Sequence, residues 1–337
     1  MPAGRGDRAS GRAASASPLG TLLKGWRERR SLSQLDLAGA ASISQRHLSF
    51  LESGRTAPSR EMVLRLAATL DIPLRQQNAL LLAAGYAPAW HERELSAPEL
   101  AMVSGALEHI LAQQEPYPAF VVDRRWNLVR ANEGARRLTR FLAPPPATVP
   151  PPAPSPVNLA EQLLSPDGLR PFIVNWEEVA LHFLRGVQAD ALADGTRETE
   201  ELFKRLLSLP GLPPLSRVRL GGELQTPVLT IHVRRGDTSL RLFTTIATLG
   251  TPLDVTLQEI RIECFFPADD STVRVFRDWA SEPPPRASAC DARCRPPRPA
   301  ARDPGWGSAT ERCASSARSA RLWASGGRST RCPTTSP

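Results

Sequence analysis

Ser33-Gln34-Leu35-Asp36-Leu37-Ala38-Gly39-Ala40-Ala41-Ser42-Ile43-Ser44-Gln45-Arg46-His47-Leu48-Ser49-Phe50-Leu51-Glu52-Ser53-Gly54-Arg55 is the stretch that decides the N-terminal fold. Ser33 reads as an N-cap opening a helix from Gln34 to Ala41. Leu35 and Ala38 are expected to face inward there, and two helices crossing closely at a turn need a small side chain such as Ala38. After a tight turn at Ala41-Ser42, Ile43 plugs the core. Ser44 then caps a third helix running to Glu52, with Leu48 and Leu51 as its buried positions. Upstream, Leu19, Leu22, Leu23 and Trp26 recur at i, i+3, i+4 and i+7, the spacing of an amphipathic first helix ending near Arg30. Downstream, Ser59 caps a fourth helix with Met62, Leu64, Leu66 and Ala67 among its core candidates. A fifth runs from about Leu74 to Ala84 and ends at Gly85 as a C-cap.

The third helix leaves Ser44, Gln45, Arg46, Ser49 and Phe50 pointing outward. Glutamine can bind adenine in a bidentate way and arginine can bind guanine likewise, each contributing about 1–3 kcal/mol of discrimination. Phe50 is a large apolar residue on an otherwise polar face; it either meets a thymine methyl or packs on the fourth helix. Gln34 and Arg55 read as phosphate contacts that fix register. Taken singly, each polar residue is equally well a solvated helix position; the set, beside a capped turn, points to the DNA major groove.

These residues resemble the Xre/Cro/phage-repressor helix-turn-helix family. The matching pattern is Gln34-x3-Ala38, Ile43, Leu48, Leu51-Glu52-Ser53-Gly54-Arg55, Pro58 and a closing Leu66-Ala67. The resemblance implies an all-α, five-helix, lambda-repressor-like domain over residues 18–88, and a pairing of a helix-1 arginine with the glutamate ending helix 3, here Arg27 and Glu52. Ser42 departs from the family, which usually has glycine in a left-handed turn there; serine costs on the order of 1 kcal/mol in that conformation.

The chain has 337 residues, enough for two compact domains plus tails. Its net charge of +8 is unevenly spread. Residues 18–88 carry nine basic and five acidic groups, residues 89–280 carry 20 and 24, and residues 281–337 carry ten and four. A basic small module joined to an acidic larger one fits one domain that faces phosphate and one that does not. No stretch approaches the roughly 18 apolar residues of a membrane span, and Arg5, Arg8 and Arg12 lack an apolar segment behind them. The expected location is the cytoplasm, on the nucleoid.

Residues 1–17 and 281–337 read as disordered arms. The latter is nearly all Ala, Arg, Pro, Ser, Gly, Thr, Cys and Trp, and such a composition buries too little apolar surface to fold. The break at Ser281 also matches an out-of-frame reading of GC-rich DNA, which resequencing the gene's 3′ end would test. Four cysteines (Cys290, Cys294, Cys313, Cys332) fall in this tail without paired zinc spacing or histidine, so no metal is expected. Cys264 reads as a small buried hydrophobe. Pro144 to Pro156 holds eight prolines and reads as an extended loop inside the second domain.

That second domain spans residues 96–280. Leu100, Val103, Leu107, Ile110 and Leu111 mark an amphipathic helix, for dimerisation or for packing against the rest of the domain. Tyr117–Asp123 reads as a strand, Arg124-Arg125 as a turn, Trp126–Arg130 as the hairpin partner, and Asn132 as the cap of the next helix. This order resembles the opening of a PAS domain. Helices are expected around Val174–Ala193 and Arg197–Leu209, and strands at Val228–Arg234, Ser239–Thr248 and Asp254–Phe266. An antiparallel sheet flanked by helices gives an α+β domain, whose faces can enclose an apolar cavity.

Over residues 18–280 the chain is similar to helix-turn-helix regulators with an MmyB-like ligand-binding domain. The similarity is carried by residues 47–55, 58–67, Leu80-Leu81-Leu82-Ala83-Ala84-Gly85-Tyr86-Ala87-Pro88 and Glu115-Pro116-Tyr117-Pro118-Ala119. It implies a PAS-like sensor for a fatty-acid-like small molecule and a homodimer on palindromic double-stranded DNA. From chemistry alone, Tyr117, Phe120, Trp126, Trp176 and Phe183 could line an apolar cavity, while Asn175, His182 or Arg185 could hold a carboxylate by charge-assisted hydrogen bonds. The bland alternative makes the aromatics ordinary core and Arg185 a solvated side chain. Three functions are open: a ligand-responsive DNA-binding regulator; a DNA-binding regulator whose second domain only dimerises or binds protein; and an enzyme. Against the last, the sequence has no nucleophile elbow, no phosphate-cradling loop, no cofactor fingerprint and no His/carboxylate metal spacing, and Gly221-Gly222-Glu223 is too short for a cyclase signature.

Overall fold

A computed structural model describes residues 17–142, 156–214 and 228–281. The expected arms, apart from Ser17 and Ser281, and most of the proline loop lie outside those residues.

Five helices open the chain: α1 (Pro18–Arg29), α2 (Gln34–Ala40), α3 (Gln45–Glu52), α4 (Arg60–Thr69) and α5 (Leu74–Ala83). Four begin with a serine whose hydroxyl accepts a backbone N–H of the first turn: Ser17 from Gly20, Ser33 from Asp36, Ser44 from His47 and Ser59 from Met62. Ser33 and Asp36 form a reciprocal capping box. The five helices enclose one core, with Leu23, Trp26, Leu37, Ala38, Leu48, Leu51, Leu66 and Leu81 among its buried members.

The core corrects the sequence reading at three helices. Leu35 is 64% exposed and Leu37 takes its place inside, while Leu22 on α1 is 38% exposed. In α4 Leu66 and Ala67 are buried as expected, but Val63 joins them inside, while Met62 and Leu64 are only half-buried against the core. Ser42 lies in the left-handed region at φ 54°.

The remaining elements are α6 (Ala101–Gln113), β1 (Ala119–Val122), β2 (Leu128–Ala131), α7 (Glu133–Leu142), α8 (Leu159–Leu164), α9 (Trp176–Asp194), α10 (Arg197–Leu207), β3 (Ile231–Arg235), β4 (Thr238–Thr248), α11 (Val255–Glu259), β5 (Arg261–Pro267) and α12 (Asp270–Ser281). The strands form one antiparallel sheet in the order β2-β1-β5-β4-β3. Asn132 fastens the opening hairpin to α7, because its Oδ1 accepts from the backbone N–H groups of Ala119 and Ala135 (2.9 and 2.8 Å).

Register assigns each side chain to a face. Phe120, Val122 and Phe265 meet α8, α9 and α10 on one side; Ala119, Val121 and Ile262 meet α6 and α11 on the other. The fold is therefore an all-α five-helix domain followed by a PAS-like α+β domain.

Two strand expectations need revision. Residues Asp254–Glu259 are not the start of a strand: Asp254 caps α11, its Oδ1 accepting from Thr256 N–H, and the strand begins at Arg261. Strand β2 begins at Leu128 because Trp126 sits in a left-handed turn at φ 63°, where the Asp123 carboxylate accepts from the N–H groups of Arg125 and Asn127. The C-terminal helix α12, which buries Phe276, was not expected from the sequence.

Ser42 is exposed and carries a side chain where the backbone favours none. Ser42→Gly should stabilise the helical domain by up to about 1 kcal/mol, read as a higher urea midpoint with an unchanged slope.

Candidate DNA interface and sensor site

The outward face of α3 is built on a buried charge. Glu52, 8% exposed, accepts from Arg27 through both oxygens (Nε 2.7 Å, a terminal nitrogen 3.1 Å) and from Gln34 Nε2 (2.8 Å). Arg27 is raised further into its protonated range, first by its hydrogen bond to Glu52. Helices α1, α2 and α3 are thereby pinned to one carboxylate, and the Gln34 amide gives one of its two hydrogens to Glu52.

Above this anchor, Ser44, Gln45 and Arg46 are placed by the start of α3: Gln45 and Arg46 are exposed, and Ser44 and Ser49 are half-buried or exposed at its edge. The Ser44 hydroxyl is engaged in capping α3. Phe50 is half-buried beneath two guanidinium groups, whose central carbons lie 5.3 Å (Arg46) and 5.7 Å (Arg55) from its ring centre. Arg55 reaches this position because Gly54 turns the chain at φ 72° while Arg55 N–H bonds to Phe50 O (2.9 Å). A Cβ at Gly54 would sit 2.8 Å from Ser17 Cβ, so that turn needs glycine for space as well as for φ.

In the second domain, Phe120, Trp126, Trp176 and Phe183 join one cluster with Leu184, Leu202 and Leu206. Trp126 meets Phe183 edge-on at 4.8 Å, and Phe120 meets Phe265 at 5.7 Å. Tyr117 belongs to a different cluster, edge-on to Phe276 at 5.8 Å. Asn175 is occupied: it donates to Thr230 O (2.7 Å) and Glu178 (3.0 Å) and accepts from His232 N–H (3.0 Å). His182 is exposed and Arg185 half-buried, so these three polar residues do not converge.

Phe203, Phe265 and Glu263 were not anticipated from sequence. Glu263 lies opposite Phe120 on β1 and Ile246 on β4, on the same face as Phe265. Desolvation pushes its carboxyl up to about 7, against a hydrogen bond from Thr244 that favours ionisation.

Between the two domains runs a chain of ion pairs that no local sequence signal reveals. Arg75 on α5 binds Glu259 on α11 (2.7 and 3.1 Å) and Glu92 in the connecting segment (2.7 Å), which holds Arg75 protonated and Glu92 ionised. Glu259 also meets Arg124 (3.4 Å) in the β1–β2 turn, and Arg124 binds Asp194 at the end of α9 (3.0 Å). Gln258 Oε1 accepts from the N–H of Leu74 at the start of α5 (2.7 Å). A cleft of about 250 Å³ beside this network is lined by Arg30, Asp71, Arg124, Asp194, Glu259 and neighbouring residues.

The family model for the MmyB-like transcription regulator ligand binding domain matches residues 103–278, over half of the chain. The chain is an MmyB-like transcription regulator. A second model, for the helix-turn-helix, matches residues 23–77 of this regulator. No curated protein matches it. Among solved structures, the clp gene regulator ClgR from C. glutamicum is 28% identical to the MmyB-like chain, covering 20% of it and 86% of its own length, with a TM-score of 0.19. An RNA-binding Light-Oxygen-Voltage receptor is 14% identical, covering 79% of this chain and 62% of its own, with a TM-score of 0.23. Among the described residues no helix is long and apolar enough to cross a membrane.

The Glu263 carboxyl gives this MmyB-like domain a pH dependence. The folded state holds its proton to about pH 7, whereas an ordinary glutamate releases it near 4.5, so folding takes up a proton between those values. Stability from this group is full below that window and falls as pH rises through it. Glu263→Gln should leave the melting temperature unchanged near pH 4.5 and raise it by a few degrees at pH 8, measured by thermal unfolding across pH.

Proposed function

We propose that this DNA-binding transcription regulator is controlled by a small apolar, fatty-acid-like molecule held in its second domain, and that it acts as a homodimer on a palindromic operator. The working division is residues 18–88 for DNA and 96–280 for the ligand. Gln45 and Arg46 read bases, with Ser44 and Ser49 beside them. Phe50 is the platform that holds Arg46 and Arg55 in place, and Arg55 contacts phosphate with Gln34 at the edge of the same surface. Phe120, Trp126, Trp176 and Phe183 form the apolar site.

The observation that carries the reading is the path between the two ends. Helix α9 bears Trp176 and Phe183 in the aromatic cluster and ends at Asp194. From there Arg124, Glu259 and Arg75 lead by successive ion pairs to α5 of the helix-turn-helix domain. A ligand that re-seats α9 shifts the support on which α5 rests. Two such domains must match half-sites about 34–36 Å apart, so a small change of placement alters DNA affinity.

Mass spectrometry of what is extracted from denatured, freshly purified protein tests the ligand. A stoichiometric acyl species is the expected result; an empty extract with no thermal shift from a lipid panel leaves the second domain a dimerisation or protein-interaction module.

On DNA, Arg46→Ala should lower affinity for the operator by roughly ten-fold or more while barely changing binding to random sequence. Arg55→Ala should weaken both alike and flatten the salt dependence. Equal losses for Arg46→Ala on both DNAs would reverse that assignment. Arg75→Ala should keep operator binding in the absence of ligand but blunt the change in affinity that ligand produces, read by fluorescence anisotropy with and without the extracted species.

A further inference from the structure

Trp176 stands at the start of α9 with its indole packed against the aromatic cluster. Its Nε1 is buried and makes no hydrogen bond, the one such side-chain polar atom among the described residues. A buried donor left unpaired costs free energy that a folded protein normally avoids, so the group calls for a partner or a function. The ring is not free to turn toward solvent. The Arg170 guanidinium stacks 4.7 Å from its centre and is itself held by Pro210 O (2.6 Å) and Gly211 O (3.0 Å).

The surroundings are apolar and incompletely covered. Leu184, Leu202 and Leu206 are sealed, but Trp176, Phe183, Phe203, Leu209 and Phe265 are only partly buried against them. Further along the same sheet face, Ile246 is 52% exposed. Hydrophobic wall and unsatisfied donor therefore coexist. Asn175, next in sequence, has its amide committed on both atoms, and His182 faces solvent.

We propose that the sensor's ligand has an apolar body and a head bearing a hydrogen-bond acceptor, and that Trp176 Nε1 donates to that acceptor. The proposal rests on the reading of residues 96–280 as an apolar-ligand sensor and adds which end of the ligand is recognised and by what. A carboxylate or carbonyl head satisfies the indole N–H; an ammonium head of equal chain length does not.

The test uses the full chain, the apolar dye N-phenyl-1-naphthylamine as reporter, and two competitors, dodecanoic acid and dodecylammonium. In wild type, dodecanoic acid should displace the dye more tightly than dodecylammonium does. Trp176→Phe keeps an aromatic ring and removes the donor. It should still bind the dye but lose about ten-fold in dodecanoic acid affinity, with dodecylammonium unchanged. Should Trp176→Phe fail to fold, the wild-type indole N–H resonance of Trp176 provides an independent readout: it should move downfield with dodecanoic acid and stay put with dodecylammonium. Equal displacement by dodecanoic acid in wild type and variant, or an indole resonance indifferent to the acid, overturns the role of Trp176 while leaving the apolar sensor standing. Failure of wild type to bind the dye or either competitor overturns the sensor reading and this inference with it.

Discussion

The carboxylate of Glu52 carries the helix-turn-helix domain. It is nearly inaccessible, yet it accepts from Arg27 on α1 and Gln34 on α2 while belonging to α3, so three helices share one charge. A buried ion is tolerable only when every partner is in place, and removing one partner typically costs about 3–5 kcal/mol. The geometry is correspondingly all-or-none. With Glu52 satisfied, α3 is fixed at its C-terminal end, the Gly54 turn comes next, and Arg55 returns over Phe50 beside Arg46. The exposed polar face of α3 is thus a consequence of a network lying beneath it.

Much of this was legible in the sequence because the governing interactions are local. Serine caps at Ser33, Ser44 and Ser59 announce three helix starts, and the spacing of Leu48 and Leu51 within α3 is unambiguous. Where a helix is short, the same logic loses resolution. Leu35, Leu37, Ala38 and Ala41 are all apolar, and a seven-residue helix has too few turns for periodicity to choose between faces. Ala38 points inward as its small size requires, but only the packed core shows that Leu37, and not Leu35, joins it.

The second domain is legible only coarsely, for a related reason. Val255-Thr256-Leu257 alternates like a strand, but Asp254 is drawn into a helix cap and held by Arg93, a residue 161 positions earlier (3.0 Å). Trp126 enters a left-handed turn that β-strand propensity would never suggest, because Asp123 binds the two backbone N–H groups on either side of it. Phe120, Trp126, Trp176 and Phe183 of the aromatic cluster were recognisable by type. Phe265 and Glu263 become visible only once strand register assigns them a face, and Phe203 only once α10 packs on the cluster.

The clamp between the domains has a consequence in time. Arg75 and Leu74 meet Glu259 and Gln258 across 184 residues of chain. All buried members of the five-helix core come from residues 19–81, so that core can close long before its clamp has been synthesised. At about 5–20 residues per second, translating the intervening segment takes on the order of ten to forty seconds. Each newly made molecule therefore passes through an interval in which its five-helix core is closed while Gln258 and Glu259, the partners of α5, are still to be made.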